Sequence, residues 1–460
     1  MQDKGAIVIK ALALLQSEFA LIELDGDVRV LKKSDIRNIL AGDRRQTLSF
    51  VKRNDAKLLM ARLLEAADIP VHRPQSVIEE FYTHPATELF TGTAFSPLPL
   101  PKNILNLWSG PIPKPAKGDF TILDRHIREV ICSGVEEYYE YHMNYLAHMV
   151  QKPEEKPGVM IIYMGGEGAG KGSMCRVLEA IWTHSTMQVS NVDDVLGRFT
   201  GALERSYIVW LDEAIFKGDR KSQDSLKAFI TEPYIRIEEK YQPKRGIESY
   251  HRVFAATNHD HFGQVSSDNR RFFMLNVSNH RKVDRAATVE VQRKQNEYWQ
   301  QFYSALKDGK TIPALLHHLL QLDISDFNVN QFPSTRTHQE QKLKSLTGIA
   351  RFLFEALSRG EMIRPAYTSN SEREWDDCYW ISTVKFKEAL LDYDKSVERY
   401  GPLSDKEAIA SIKQAIPLVE TSRKKDVDQH QRRGIDFPNL TEARGCFEKA
   451  FGLIEYEWDE

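Results

Sequence analysis

Residues 165–173 read GGEGAGKGS, directly behind the apolar run VMIIYM (159–164) and ahead of MCRVLEAIW. A strand that feeds a glycine-rich turn and then a helix aims backbone N–H groups and a positive helix end at one point. The β- and γ-phosphates of a nucleotide are held in this way. Gly165, Gly168 and Gly170 allow the tight backbone path, and Lys171 supplies the point charge for the phosphates. The candidate cradle is thus Gly165, Gly166, Glu167, Gly168, Ala169, Gly170, Lys171, Gly172 and Ser173. One position departs from the usual pattern. The magnesium-binding hydroxyl ordinarily follows the lysine at once, but Gly172 stands there and Ser173 comes one later.

The second half of such a site needs carboxylates at a strand end. YIVWL (207–211) runs into Asp212 and Glu213, 41 residues from Lys171 to Asp212. Asp212 would hold Mg²⁺ together with Ser173, directly or through water, and Glu213 would polarise the attacking water. RVFAATN (252–258) puts Asn258 at the end of another strand, in a place to orient that water. SSDNRRFF (266–273) supplies Arg270 and Arg271, either of which could reach a neighbouring subunit's γ-phosphate. IRIEEKY and the segment after QPKRG read as a hairpin whose tip carries Lys240, Tyr241, Lys244 and Arg245. A basic tip with an aromatic residue suits a phosphate backbone and a stacked base.

These residues need a scaffold. Between 159 and 277 there are five apolar strand candidates: 159–164, 186–190, 207–211, 252–257 and 271–277. Helical segments separate several of them, which predicts an α/β fold: a parallel five-stranded sheet flanked by helices, with ligands at the strands' carboxyl ends. Residues 1–95 read as a small α+β region with short strands (FALIEL, VRVL) and an amphipathic helix near 55–67. Residues 96–158 form a lead-in: a Pro-rich stretch (97–118) expected to be irregular, then two helices across 120–150. The nucleotide-binding region would span 159–330, and a last region, 345–460, alternates helices and short strands.

Composition sets limits. The chain has 460 residues, 42% hydrophobic and 28% charged, as a soluble globular protein does. No run of 18 apolar residues predicts a membrane span, and the N-terminus makes a poor signal peptide. Four scattered cysteines show no metal spacing and fit reduced thiols in a cytoplasm. Net charge is −3, so any nucleic-acid contact relies on local positive charge. Asp25-Gly26-Asp27 after ALIEL reads as a hairpin turn rather than a metal site, so no primase or polymerase activity is expected of this chain.

Taken in order, GGEGAGKGS, WLDEA, LKAFITEP with IRIEEKY, FAATNH and DNRRFF resemble the superfamily 3 helicases, most of all the phage and prophage primase–helicase type. NLWSGP (106–111) and RRGIDFPNLTEARGCFEKAFG (432–452) are similar to the same group, so the resemblance covers roughly 100–455. It implies a P-loop motor of the AAA+ class, assembled as a hexameric ring with ATP and Mg²⁺ at each subunit interface. It also implies basic hairpins that follow single-stranded DNA, a winged-helix-like C-terminal domain and a separate primase–polymerase partner. Carried onto this chain, Lys171 binds phosphate, Ser173 and Asp212 hold Mg²⁺, and Glu213 is the catalytic carboxylate. Asn258 is the sensor, Arg270 or Arg271 the finger, and Lys240 the basic hairpin position. Two other readings stand beside it. A ring ATPase could load or remodel replication proteins without unwinding. A nucleotide kinase would share the Lys-Gly-Ser spacing, but 164 residues precede the loop and no Arg-rich lid is visible.

Overall fold

The computed structural model describes the chain apart from residues 1–3, 25, 42–47, 199, 214–219, 239–244, 259–269, 285, 366–373, 395–402, 427–428, 454–455 and 459–460. Two compact units emerge, one from residues 1–215, 221–258 and 275–331, the other from 332–460 with 216–220 and 259–274.

The first unit opens with α1 (Lys4–Glu18), β1 (Phe19–Leu24), β2 (Asp27–Lys32), α2 (Lys33–Ala41), α3 (Arg53–Ala66) and α4 (Pro74–Thr83). The β1–β2 hairpin pairs as far as Leu24 opposite Asp27, and Asp27 forms an ion pair with Arg29. Short strands β3 (Leu89–Phe90), β4 (Gly92–Ala94) and β5 (Ile104–Asn106) follow. β5 corrects the expectation that 97–118 is irregular: it pairs in parallel with β4. Leu105 and Leu107 drive this, because they are buried with Ala20, Ile22 and Phe90.

Across 121–151 the chain is helical, with an unusual first member. α5 (Thr121–Arg125) runs straight into a π-helix, His126–Ile131. The wider turn buries His126, Ile127, Val130 and Ile131 together. π-helical turns inside helices are frequent at functional sites. α6 (Glu136–Gln151) buries nine of its residues, and Gln151 fastens it to the end of a later helix through Leu319 O and Leu322 O at 2.7 and 2.8 Å.

The centre is a five-stranded sheet of β6 (Met160–Met164), β7 (Thr186–Val189), β8 (Ile208–Asp212), β11 (Arg252–Thr257) and β12 (Phe272–Asn276), in the order β12-β6-β11-β8-β7. The β6–β11, β11–β8 and β8–β7 ladders are all parallel. Every residue of β6 and β11 is buried. Helices on both faces require this, and it explains why these strands read as unbroken apolar runs rather than alternating ones. Tyr163, Phe254 and Trp210 lie side by side on β6, β11 and β8 with nearly parallel rings, 5.5–6.5 Å between centroids. The helices are α7 (Gly172–Ile181), α8 (Asp193–Leu196), α9 (Arg220–Thr231), α10 (Val289–Ala305) and α11 (Thr311–Gln321). The expected hairpin is present as β9 (Tyr234–Ile237) and β10 (Arg245–Glu248).

The second unit holds α12 (Arg336–Lys344), α13 (Gly348–Arg359), β13 (Tyr379–Ser382), α14 (Thr383–Tyr393), α15 (Asp405–Ala415), β14 (Glu420–Lys425), β15 (Gln431–Phe437) and α16 (Leu440–Phe451). Its antiparallel sheet runs β13-β15-β14. Leu353, Leu357, Trp375, Phe386, Ile412, Ile435 and Phe447 form its core. The helix starts are signalled locally: Ser382 and Asn439 cap α14 and α16, and Ser404 with Glu407 makes a reciprocal capping box on α15.

Candidate nucleotide site at the carboxyl ends of the central strands

The strand order decides what meets what. β11 lies between β6, which leads into the glycine loop, and β8, which ends in the acids. Asn258 follows β11, so it stands between Lys171 and Glu213. The hydrogen bonds show this. Lys171 Nζ donates to Gly165 O (2.7 Å), Gly166 O (2.8 Å) and Asn258 Oδ1. Asn258 Nδ2 donates in turn to Glu213 Oε1. The amide orientation follows from its partners, because the ammonium can only donate and the carboxylate only accept. Burial holds the Lys171 pKa below the usual lysine range, against the opposing pull of Glu213, Asp212 and Glu167. Its three protein acceptors are ones that phosphate oxygens can replace.

The loop backbone is shaped by glycines where no side chain fits. Gly165 has φ +149°, and a Cβ there would lie 3.1 Å from Val277 O. Gly170 has φ +108°, and a Cβ there would sit 2.6 Å from the Trp299 ring. Glu213 also occupies the left-handed region, at φ +51°, with its N–H bonded to Ala256 O at 2.9 Å. A non-glycine residue held this way stores strain of about 1–3 kcal/mol, here at the residue after β8.

Ser173 lies one turn into the loop-to-helix junction and is 2% exposed. Its hydroxyl donates to Gly170 O at 2.6 Å. His126 Nε2 is 2.6 Å from the same Oγ, and His126 Nδ1 is 2.6 Å from Tyr298 OH. With the serine proton already placed, Nε2–H donates to Ser173 and Tyr298 donates to Nδ1. Burial first, then the nearby His280 and Arg281, lower the His126 pKa to about 3, so the ring is neutral as this pattern demands. Ser173 Oγ keeps a lone pair. Asp212 is steadied by Gln188 Nε2, 2.8 Å from Oδ2. Ser173 and Asp212 thus offer oxygen donors of the kind Mg²⁺ prefers, with the Glu213 carboxylate beside them. They share one cleft of about 370 Å³ with Lys171, Asn258, Trp299 and Tyr303.

Comparison with known proteins bears on the fold. A family model described as a family of unknown function (DUF5906) matches residues 163–271, from within β6 to the residue before β12. No curated protein matches the chain. Among solved structures, the A form of the apo NrS-1 C-terminal region is similar with a TM-score of 0.60 at 14% identity. That match covers 92% of this chain and 97% of the other. A second apo structure of the same region gives 0.57 at 15% identity, covering 95% and 99%. This chain shares the fold of the NrS-1 C-terminal region.

Not every residue singled out by type and spacing lies in the cleft. Arg270 and Arg271 immediately precede β12 and are not among the cleft's lining residues. Lys240, Tyr241 and Lys244 lie outside the described residues. Arg245 is the first residue of β10, and its guanidinium makes a two-pronged pair with Glu204, so it braces the hairpin base. Four residues were missed by motif reasoning. His126 supports Ser173. Trp299 and Tyr303 line the cleft. Lys282 lies against the loop, with Nζ 4.0 Å from the Cβ position of Gly166. None sits in a recognisable motif. The only signal in the chain is a histidine on the apolar face of a helix and an aromatic cluster, YWQQFY (298–303), on another.

Proposed function

We propose that this chain is an ATP-dependent DNA helicase of phage-type replication that hydrolyses ATP at the subunit interfaces of a ring and moves along single-stranded DNA. The observation that carries the reading is the chain of contacts Lys171–Asn258–Glu213, built across three neighbouring strands. It joins a phosphate-binding cation, a polar sensor and a carboxylate in the order that hydrolysis uses them. The loop N–H groups and Lys171 bind the β- and γ-phosphates. Ser173 and Asp212 hold Mg²⁺, which when bound offsets the negative charge that builds on the phosphate oxygens. Asn258 orients the attacking water, and Glu213 accepts hydrogen-bond donation from it and polarises it toward the γ-phosphorus. Arg270 or Arg271 serves the neighbouring subunit's nucleotide, which makes the ring the working unit.

The second unit supports a nucleic-acid role. We read its order α13-β13-α14-α15-β14-β15 as a winged-helix-like arrangement, with the β14–β15 hairpin as wing. Arg423 stands directly opposite Arg433 on that hairpin, and both are exposed, as is Lys425. Like charges placed opposite each other are destabilising, and a phosphate backbone would relieve them. We assign the same backbone-gripping role, on single-stranded DNA, to Lys240 and Lys244.

ATPase rate on the full-length chain, with and without single-stranded DNA across a salt series, tests the proposal. Stimulation that fades as salt rises supports a nucleic-acid motor. An active ATPase indifferent to DNA favours a ring that remodels or loads proteins. Absence of hydrolysis with and without DNA overturns the assignment.

A further inference from the structure

The cleft is lined by two kinds of large side chain: Glu167, Lys171, Ser173, Asp212, Glu213 and Asn258 are polar, and Trp299 and Tyr303 are aromatic. Phosphate chemistry has no use for two rings. They lie four residues apart on α10, which brings side chains together on one helix face. Their centroids are 5.9 Å apart with 28° between the planes. Trp299 is fixed, since its Nε1 donates to Arg281 O at 2.9 Å and its ring closes on Gly170. Tyr303 is different. It is 43% exposed, whereas Tyr298 and Phe302 on the same helix are 5% and 0% exposed. An aromatic ring seated on a second, immobilised ring and open to a cleft is a stacking surface. Arg176, five residues beyond Lys171 on α7, lies within electrostatic reach of Tyr303 and is held by Glu179 at 2.7 Å.

We propose that Tyr303, seated on Trp299, stacks the base of the nucleotide whose phosphates the glycine loop holds. The proposal rests on the nucleotide reading of the loop and adds the residue that distinguishes a nucleoside triphosphate from bare polyphosphate. The occupant follows from continuity. Trp299 touches Gly170 of the loop, and Tyr303 extends the same cleft outward. A planar base therefore meets the exposed ring while its phosphates remain at Lys171. Stacking strengthens with the size of the base, so purines are favoured over pyrimidines.

Calorimetric titration of the full-length chain with ATP, CTP and inorganic tripolyphosphate tests this. The unmodified protein binds ATP several-fold more tightly than CTP. Tyr303→Ala weakens ATP by about tenfold or more, the size of one base stacking on an aromatic ring. It leaves tripolyphosphate affinity unchanged and removes the difference between ATP and CTP. Tyr303→Phe keeps the affinity for ATP, since the ring and not the hydroxyl does the stacking. Equal weakening of ATP and tripolyphosphate in Tyr303→Ala, or no weakening of ATP, overturns the platform while leaving the phosphate site in place. Failure of the unmodified protein to bind either ATP or tripolyphosphate overturns the nucleotide reading itself and the platform with it.

Discussion

His126 Nε2 lies 2.6 Å from Ser173 Oγ, joining a π-helix to the first turn after the glycine loop. Each hydrogen in the group has one place to go: Ser173 donates to Gly170 O, His126 to Ser173 and Tyr298 to His126. The hydroxyl is turned so that its remaining lone pair is free for a cation. This also answers the departure at Gly172, because a serine one position late is oriented by a partner from elsewhere in the chain.

His126→Ala should therefore raise the Mg²⁺ concentration needed for half-maximal ATPase by roughly tenfold, the scale of losing a group that orients a metal ligand. Affinity for nucleotide in the presence of EDTA should be unchanged. His126→Gln, whose longer side-chain amide nitrogen reaches the Nε2 position and can still donate to Ser173, should recover much of the loss. Equal damage with and without Mg²⁺, or no recovery in the Gln variant, would show that His126 only fills space.

Lys171→Ala should abolish ATP hydrolysis and weaken nucleotide binding without lowering the melting temperature. The lysine is 7% exposed with a depressed pKa, so its charged form is held against a desolvation cost that the alanine removes. Turnover close to that of the unmodified protein would refute the assignment of the loop.

The sheet was legible because parallel strands covered on both faces must be continuous apolar runs, and Met160–Met164, Ile208–Asp212 and Arg252–Thr257 are such runs ending in chemistry. Lys171, Asp212, Glu213 and Asn258 were legible because each lies at or beyond a strand's carboxyl end, and the strand ends of one sheet converge. His126, Lys282, Trp299 and Tyr303 were not. Trp299 and Tyr303 reach the cleft, and His126 and Lys282 reach the residues of the glycine loop and α7, through helix packing and through the segment after β12, where spacing along the chain says nothing about proximity. β5 was hidden for a similar reason: a Pro-rich setting masks three residues that pair with β4 because Leu105 and Leu107 have a core to enter. In the second unit the capping residues Ser382, Ser404 and Asn439 mark helix starts locally, whereas the sheet order β13-β15-β14 depends on long-range pairing.

Acid should destabilise the fold well above the carboxylate range. His126, His142 and His251 are buried, and that burial lowers each pKa to about 3. In the unfolded chain they titrate near 6.5. Between these limits the unfolded state binds more protons, so stability is full above about 6.5 and falls as pH drops toward 3. Each group contributes a slope of up to about 1.4 kcal/mol per pH unit in that window. Melting temperatures from pH 7.5 to 5 should fall steadily, with proton uptake on unfolding detected by calorimetry in buffers of different ionisation enthalpy. A flat profile would mean these histidines are charged or exposed in the folded protein.

If the β14–β15 hairpin grips DNA as proposed, Arg423 and Arg433 set stability against binding. Arg423→Glu turns a like-charged cross-strand pair into an opposite one and should stabilise the second unit by about 0.2–1 kcal/mol. The same change should weaken DNA binding. Arg423→Ala should reduce the slope of log affinity against log salt by about 0.7–0.9, the counterion release of one phosphate contact. Opposite signs in melting temperature and affinity for Arg423→Glu are the expected result. Unchanged DNA affinity would exclude the hairpin as a grip.

A finger supplied in trans makes a quantitative demand on mixed rings. If Arg270 or Arg271 completes the neighbouring subunit's site, Arg→Ala at that position abolishes ATPase alone, as does Lys171→Ala. An interface works only when one subunit contributes Lys171 and its neighbour contributes the arginine. In a random one-to-one mixture of the two inactive variants, about a quarter of the interfaces satisfy both conditions in a closed ring. Activity should thus rise from near zero in either pure sample to roughly a quarter of that of the unmodified protein, with the maximum near equal mixing. The variant that supports this identifies which arginine is the finger. If neither Arg270→Ala nor Arg271→Ala recovers activity at any ratio, while subunit exchange is confirmed by labelled protomers, the arginines act within their own subunit and ring-borne hydrolysis loses its support.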